Sequence, residues 1–152
     1  MKIRFYVLVT LAALTSFLLS SSALSSPVGT WITVDDKNEH KGSLVELWLD
    51  QGELKGRVVK LLNPADSGKL CGKCKGAKHN QPIEGMEIIW GLHQQEQQWR
   101  DGYVMDPKSG KTYSAKLSLS DDGQSLKLRG YLGVSLLGRS QTWHRAEQNQ
   151  LN

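Results

Sequence analysis

The sequence predicts an all-β fold, an up-and-down antiparallel β-barrel of about eight strands, with a two-sheet sandwich as the competing architecture. Three observations carry this. Apolar and polar residues alternate with period two through most of the chain, and no segment sustains a period of 3.6. Tight-turn residues break that alternation at short, even intervals. A tryptophan stands near each end of the alternating region, Trp31 in Gly29-Thr30-Trp31 and Trp143 in Thr142-Trp143-His144-Arg145.

The elements follow in order. Residues 1–25 read as a secretory signal peptide. Lys2 and Arg4 form a positive start, residues 5–19 are mostly apolar, and residues 20–26 are mostly small. Small-x-small sites place the cut after Ala23 or Ser25. A membrane anchor is the competing reading, but the apolar run falls short of the ~20 residues that span a bilayer. No cysteine lies near the cut, which argues against a lipid anchor. Residues 26–146 are then a single barrel domain, and residues 147–152 a polar tail. The expected location is the bacterial periplasm, with a secreted product as the alternative.

Residues 30–34 open the strand set, followed by a polar turn from Asp35 to Asn38. Residues 43–49 alternate, with Leu44, Glu46 and Trp48 on one face and Val45, Leu47 and Leu49 on the other. Asp50-Gln51-Gly52 is a tight turn, and residues 54–62 return as the hairpin partner. Residues 63–82 form a long polar loop. Residues 86–92 are a strand with Met86, Ile88, Trp90 and Leu92 on one face, and residues 93–98 a polar turn. Residues 99–105 follow, then the turn Asp106-Pro107-Lys108-Ser109-Gly110. Residues 112–120 alternate cleanly, with Tyr113, Ala115, Leu117 and Leu119 on one face. Asp121-Asp122-Gly123 turns again, and Leu126, Leu128 and Gly130 share the next face. Residues 131–137 are apolar around Gly133 and suit a bend, a bulge or one helical turn. Residues 140–145 are the last strand.

Lys2 and Arg4 supply two of the formal net charge of +4, which leaves the barrel domain only mildly basic. That gives no argument for nucleic acid and at most a weak preference for anionic partners. The domain length is enough to bury about two-thirds of the unfolded chain's surface.

The two cysteines form Cys71-Gly72-Lys73-Cys74. An even count in an exported chain favours a disulfide that staples a local loop. A redox pair needs the first cysteine at a helix start, and glycines surround this one instead. A metal site would need further ligands, and only His79 is near in sequence. Around the pair, Lys69, Lys73, Lys75, Lys78 and His79 face one acid, Asp66, which makes either a solvated loop or a patch for an anionic partner. Trp48, Trp90, Trp99, Tyr103, Tyr113 and Tyr131 either fill the core or line a cavity, since eight strands leave just enough interior for side chains or one small ligand. His40, His79, His93 and His144 are scattered, and no nucleophile–base pattern or phosphate loop is present. The sequence therefore leans away from an enzyme and requires no cofactor.

In an eight-stranded up-and-down barrel the start of the first strand lies beside the end of the last. Arg145 can then lie over Trp31 and plug that end, with Arg139 as the alternative partner. Any ligand would enter at the opposite mouth.

Gly29-Thr30-Trp31 resembles the Gly-x-Trp start of the lipocalin and avidin-like (calycin) barrels, in which an arginine from the chain end covers the tryptophan. More specifically, the chain resembles the exported bacterial family known as domain of unknown function 2147. The matching stretches are residues 29–31, 52–58, 71–76, 82–86, 102–107, 110–113, 128–131 and 138–143. The resemblance implies a lipocalin-like barrel and no assigned activity. Three functions follow in order: a barrel binding a small, partly apolar ligand; a cell-envelope interaction or structural module acting through its surface and the Lys-rich loop; and a thiol-redox enzyme. Oligomeric state is open.

Overall fold

A computed structural model describes residues 25–34, 40–134 and 138–147. The signal peptide expected at 1–25 and the tail expected at 147–152 therefore lie almost wholly outside the described residues. Eight strands form one closed antiparallel barrel in chain order: β1 (Gly29–Val34), β2 (Lys41–Asp50), β3 (Glu53–Leu61), β4 (Glu87–Gln95), β5 (Gln98–Asp106), β6 (Lys111–Leu119), β7 (Ser125–Tyr131) and β8 (Gly138–Arg145). Closure comes from β1 against β8, with Trp31 opposite Arg145 and Ile32 opposite His144. Closing the sheet removes its free edges, the hazard of any isolated sheet.

The alternation decides which side chains fill the interior. Trp31, Val45, Leu47, Leu54, Leu92, Trp99, Leu117 and Leu126 are buried together. They come from the start of odd-numbered strands and the end of even-numbered ones, so they pack one half of the barrel.

Two expectations need correction. Met86, Ile88, Trp90 and Leu92 do not share one face. Ile89 and Leu92 are fully buried, whereas Trp90 is only partly covered and pairs with the exposed Tyr103. Gly91 adopts φ +73°, and the register of β4 against β3 shifts on both sides of Gly56. A bulge of this kind moves every later side chain to the other face. Residues 93–98 are also not a free polar turn. β4 runs to Gln95 and β5 starts at Gln98, so the hairpin turns over two residues, with Glu96 at φ +55°. The strand ends project beyond the core into water, where polar residues serve on both faces and the hydrophobic signal vanishes.

The connection from β3 to β4 is compact. Two short 3₁₀ turns, Pro64–Asp66 and Gly76–Lys78, and one bridge between Leu70 and Pro82 organise it. It docks on the β5–β6 turn so tightly that a Cβ on Gly110 would lie 1.9 Å from the Lys73 carbonyl oxygen. Gly110 also has φ +68°, so both the close approach and the backbone conformation require glycine.

Candidate functional site

The two halves of the barrel interior differ. Large side chains fill the half that contains Trp31. In the other half several inward positions are small or polar: Thr33 on β1, Ser43 on β2, Gly130 on β7 and Gln141 on β8. The space they leave is a cavity of about 870 Å³, within the range of sites that take a small organic ligand. Its floor and walls are apolar, formed by Val58, Ile83, Ile88, Met105, Leu128 and Trp143. Trp143 is 2 % exposed and separates the cavity from the packed half.

Several polar groups in the wall pair with one another. Thr33 Oγ1 and Ser43 Oγ share a hydrogen bond of 3.0 Å, and the Ser43 amide donates to Thr33 Oγ1 at 2.9 Å. Trp143 Nε1 donates to Gln141 Oε1 at 3.2 Å. Among the described residues no buried side-chain nitrogen or oxygen lacks a partner. The mouth carries charge: Lys69, Lys108 and Arg139 with Asp66 and Asp106.

The opposite end is shut. The Arg145 guanidinium carbon lies 4.3 Å from the centroid of the Trp31 ring. Its nitrogens donate to the carbonyls of Gly123 at 2.9 Å, Val28 at 3.1 Å and Ser26 at 2.9 Å. Trp31 Nε1 donates to the Pro27 carbonyl at 2.8 Å. Arg139, the other arginine considered for this place, stands at the cavity mouth opposite Gly130. β8 runs the length of the barrel, so its first residues cannot reach the end where β1 begins.

The aromatic candidates separate. Tyr113 and Tyr131 line the cavity. Trp99 is buried in the core of the packed half, opposite Leu117. Trp48, Trp90 and Tyr103 stand outside the barrel: Arg57 lies 5.6 Å over the Trp48 ring, Trp90 and Tyr103 are 6.0 Å apart, and Tyr103 is 47 % exposed. For Trp90 the cause is the β4 bulge; for Tyr103 it is a second irregularity in β5, where the register against β6 shifts between Trp99 and Gly102 and Asp101 has φ +64°. For Trp48 it is the alternation itself, since Leu47 takes the inward place beside it.

Cys71 and Cys74 are disulfide-bonded and buried. The Cys71 sulfur sits 3.3 Å from the Pro107 carbonyl oxygen, and the Cys74 sulfur 3.7 Å from the Met105 sulfur. Both neighbours belong to the cavity wall. The cations of this loop have different surroundings. Lys69 pairs with Asp66 at the mouth. Lys78 Nζ donates to the Glu87 carbonyl at 2.7 Å and lies 4.4 Å over the Trp90 ring. Burial lowers the Lys78 pKa, and the nearby Glu87 partly offsets that. His79 Nδ1 bonds the Cys74 carbonyl at 3.0 Å. Lys73 and Lys75 are exposed. Among the described residues no group of three His, Cys, Asp or Glu side chains could hold a metal. No helix among them is long and apolar enough to cross a membrane.

Sequence reading missed the floor and the wall of the cavity. A signal for them exists: Arg139, Gln141 and Trp143 alternate on one face of β8, grading from charged to polar to apolar.

Comparison with known proteins agrees with the architecture. The model of a family described as an uncharacterised protein conserved in bacteria (DUF2147) matches residues 29–145. A solved structure of protein HP1028 from the human pathogen Helicobacter pylori, described as belonging to the lipocalin family, superposes with a TM-score of 0.72 at 17 % identity. The match covers 83 % of this chain and 86 % of that one. No curated protein matches.

Proposed function

The chain belongs to the DUF2147 family, and from that premise and the cavity we propose that it is an exported barrel that binds a small, partly apolar ligand. The cavity of about 870 Å³ over an apolar floor carries this reading. An eight-stranded barrel can either fill its interior or hold one ligand. Here the inward residues fill one half only. The similarity to a lipocalin-family structure supports the fold on which the reading depends. Two facts favour export to the periplasm: the family is bacterial, and a disulfide persists in oxidising compartments. Cleavage after Ala23 or Ser25 would keep the Ser26 and Pro27 carbonyls that bond Arg145 and Trp31. Periplasmic fractionation with N-terminal sequencing tests that part.

The burial of Cys71 and Cys74, at 0 % and 4 % exposure, favours a structural disulfide over a reactive thiol pair. An envelope-docking role through the Lys-rich loop is the weaker reading, because Lys69, Lys78 and His79 already have partners within the protein.

The test is a neutral apolar fluorophore such as N-phenylnaphthylamine. Wild type is expected to bind it with enhanced fluorescence. Gly130→Phe places a ring in the cavity, beside Tyr113 and Val104, and is expected to weaken binding at least about tenfold. No binding by wild type, or equal binding by a folded Gly130→Phe, refutes the reading.

A further inference from the structure

The geometry points to an uncharged, mainly apolar ligand whose oxygen accepts hydrogen bonds without donating any, as in a ketone or an ester, received by the Gln141 amide in the cavity wall. This deepens the binding reading above and rests on it.

Trp143 fixes which way the Gln141 amide faces. An indole N–H only donates, whereas a carboxamide accepts through its oxygen and donates through its nitrogen. Trp143 Nε1 donates to Gln141 Oε1 at 3.2 Å. Turning the amide over would set its own hydrogens against the indole hydrogen. The oxygen therefore stays with Trp143, and the NH2 group keeps its donors with no acceptor among the described residues. No buried side-chain nitrogen or oxygen among those residues lacks a partner, so open space reaches this nitrogen. The space that Gln141 lines is the cavity.

The adjoining wall adds a second donor. β8 pairs with β1 and β1 with β2, which sets Thr33 and Ser43 on the same side of the cavity as Gln141. The two hydroxyls share one hydrogen bond of 3.0 Å. The other bond of the pair, from the Ser43 amide to Thr33 Oγ1 at 2.9 Å, uses no hydroxyl proton. Whichever oxygen donates to the other, one O–H is left unused. A ligand that fills the cavity displaces the water these donors would otherwise hold. A hydrocarbon leaves them unsatisfied, which is costly. An ammonium or N–H group meets hydrogen with hydrogen. A carboxylate at this depth faces neutral dipoles alone, because the charged lining residues among those described stand at the mouth, and burying a charge without a counter-charge costs far more than burying a carbonyl. An uncharged acceptor oxygen satisfies this wall, while Val58, Ile88 and Met105 receive the apolar remainder.

The experiment is equilibrium dialysis of the protein against benzophenone and diphenylmethane, which differ by a carbonyl in place of a methylene, with diphenylacetate as the anionic arm. Wild type is expected to bind the ketone at least as tightly as the hydrocarbon, although only the ketone gives up hydrogen bonds to water on entering. In Gln141→Met the ratio of ketone to hydrocarbon affinity is expected to fall at least about fivefold, the scale of one neutral hydrogen bond. Gln141→Glu keeps an acceptor for Trp143 Nε1 and removes the NH2 donors, so the ratio is expected to fall there as well. Ser43→Ala leaves one hydroxyl proton unused on Thr33, as in wild type, and is expected to keep the ratio. Circular dichroism establishes that the variants are folded. An unchanged ratio in either folded Gln141 variant overturns the assignment and leaves the cavity reading intact. So does a ratio that falls as far in Ser43→Ala, or diphenylacetate binding tighter than the ketone. Failure of all three probes to bind wild type overturns both readings.

Discussion

Replacing Arg145 with alanine tests how the barrel is held shut. The guanidinium lies 4.3 Å from the Trp31 centroid, and Trp31 is completely buried. A cation over a desolvated indole contributes about 1–2 kcal/mol. The bond from Arg145 Nε to the Gly123 carbonyl is partly buried, and losing it costs about 1 kcal/mol. The bonds to Val28 and Ser26 are exposed. Water replaces them, so each adds under about 0.5 kcal/mol. Arg145→Ala is therefore expected to destabilise the protein by about 2–4 kcal/mol, or about 10 °C in Tm. Arg145→Lys keeps a cation for the ring but loses the planar fork, and is expected to recover about half of that. Urea unfolding followed by far-UV circular dichroism, with the slope m unchanged, measures both. A loss under about 0.5 kcal/mol in Arg145→Ala, the size of an ordinary surface substitution, would refute the reasoning. So would full recovery by lysine.

Three further predictions concern the long loop and its surroundings. Gly110→Ala is expected to cost at least about 2 kcal/mol, because the added Cβ meets the Lys73 carbonyl and φ is positive. Gly52→Ala, with φ +84° but nothing within 4 Å, should cost only about 1 kcal/mol; equal losses in urea unfolding would count against the docking of the loop. The Cys71→Ser/Cys74→Ser variant is expected to lose about 2 kcal/mol by chain entropy. It should also bind apolar probes more weakly, since Lys69 and Ile83 reach the cavity from this loop; unchanged binding with reductant present would show that the loop does not shape the wall. Lys78 has its folded pKa lowered by burial below 10.5. The unfolded chain thus holds that proton more tightly, so wild-type stability relative to Lys78→Gln should rise with pH from the lowered folded value to 10.5. Side-chain nitrogen NMR reads the pKa directly, and a value at or above 10.5 contradicts the burial argument.

The strand set was legible because seven of the eight strand pairings join consecutive strands. Alternation marked β2, β6 and β7, and Asp50-Gln51-Gly52 and Asp121-Asp122-Gly123 marked two of the hairpins. β4 was misread for a reason that lies outside its own composition. A positive φ at Gly91 and a register shift against β3 exchange its faces, and periodicity counts residues without seeing bulges. The ends of β4 and β5 were missed because they stand beyond the core, where nothing selects apolar residues. The cavity was hidden for a different reason. Alternation says which side chains face inward, but not whether those from opposite walls meet. Sorting the inward residues by size would have found it, since Trp31, Leu47, Leu54 and Trp99 lie in one half, and Thr33, Ser43 and Gly130 in the other.

That uneven filling divides the labour of the barrel. The packed half buries most of the large side chains and is clamped by Arg145, so substitutions there act mainly on stability. The half with the cavity contributes fewer contacts across the interior, so its stability must come from the sheet ladder and from what braces the wall outside. The disulfide loop is such a brace: its sulfurs touch Met105 and Pro107, and its backbone rests on Gly110. A cavity that is not filled by side chains forgoes dispersion contacts on its lining, and a covalently closed loop against that wall offsets part of the loss without occupying the interior. The small size of the disulfide ring, which makes it a weak staple for the whole fold, suits it to that local task.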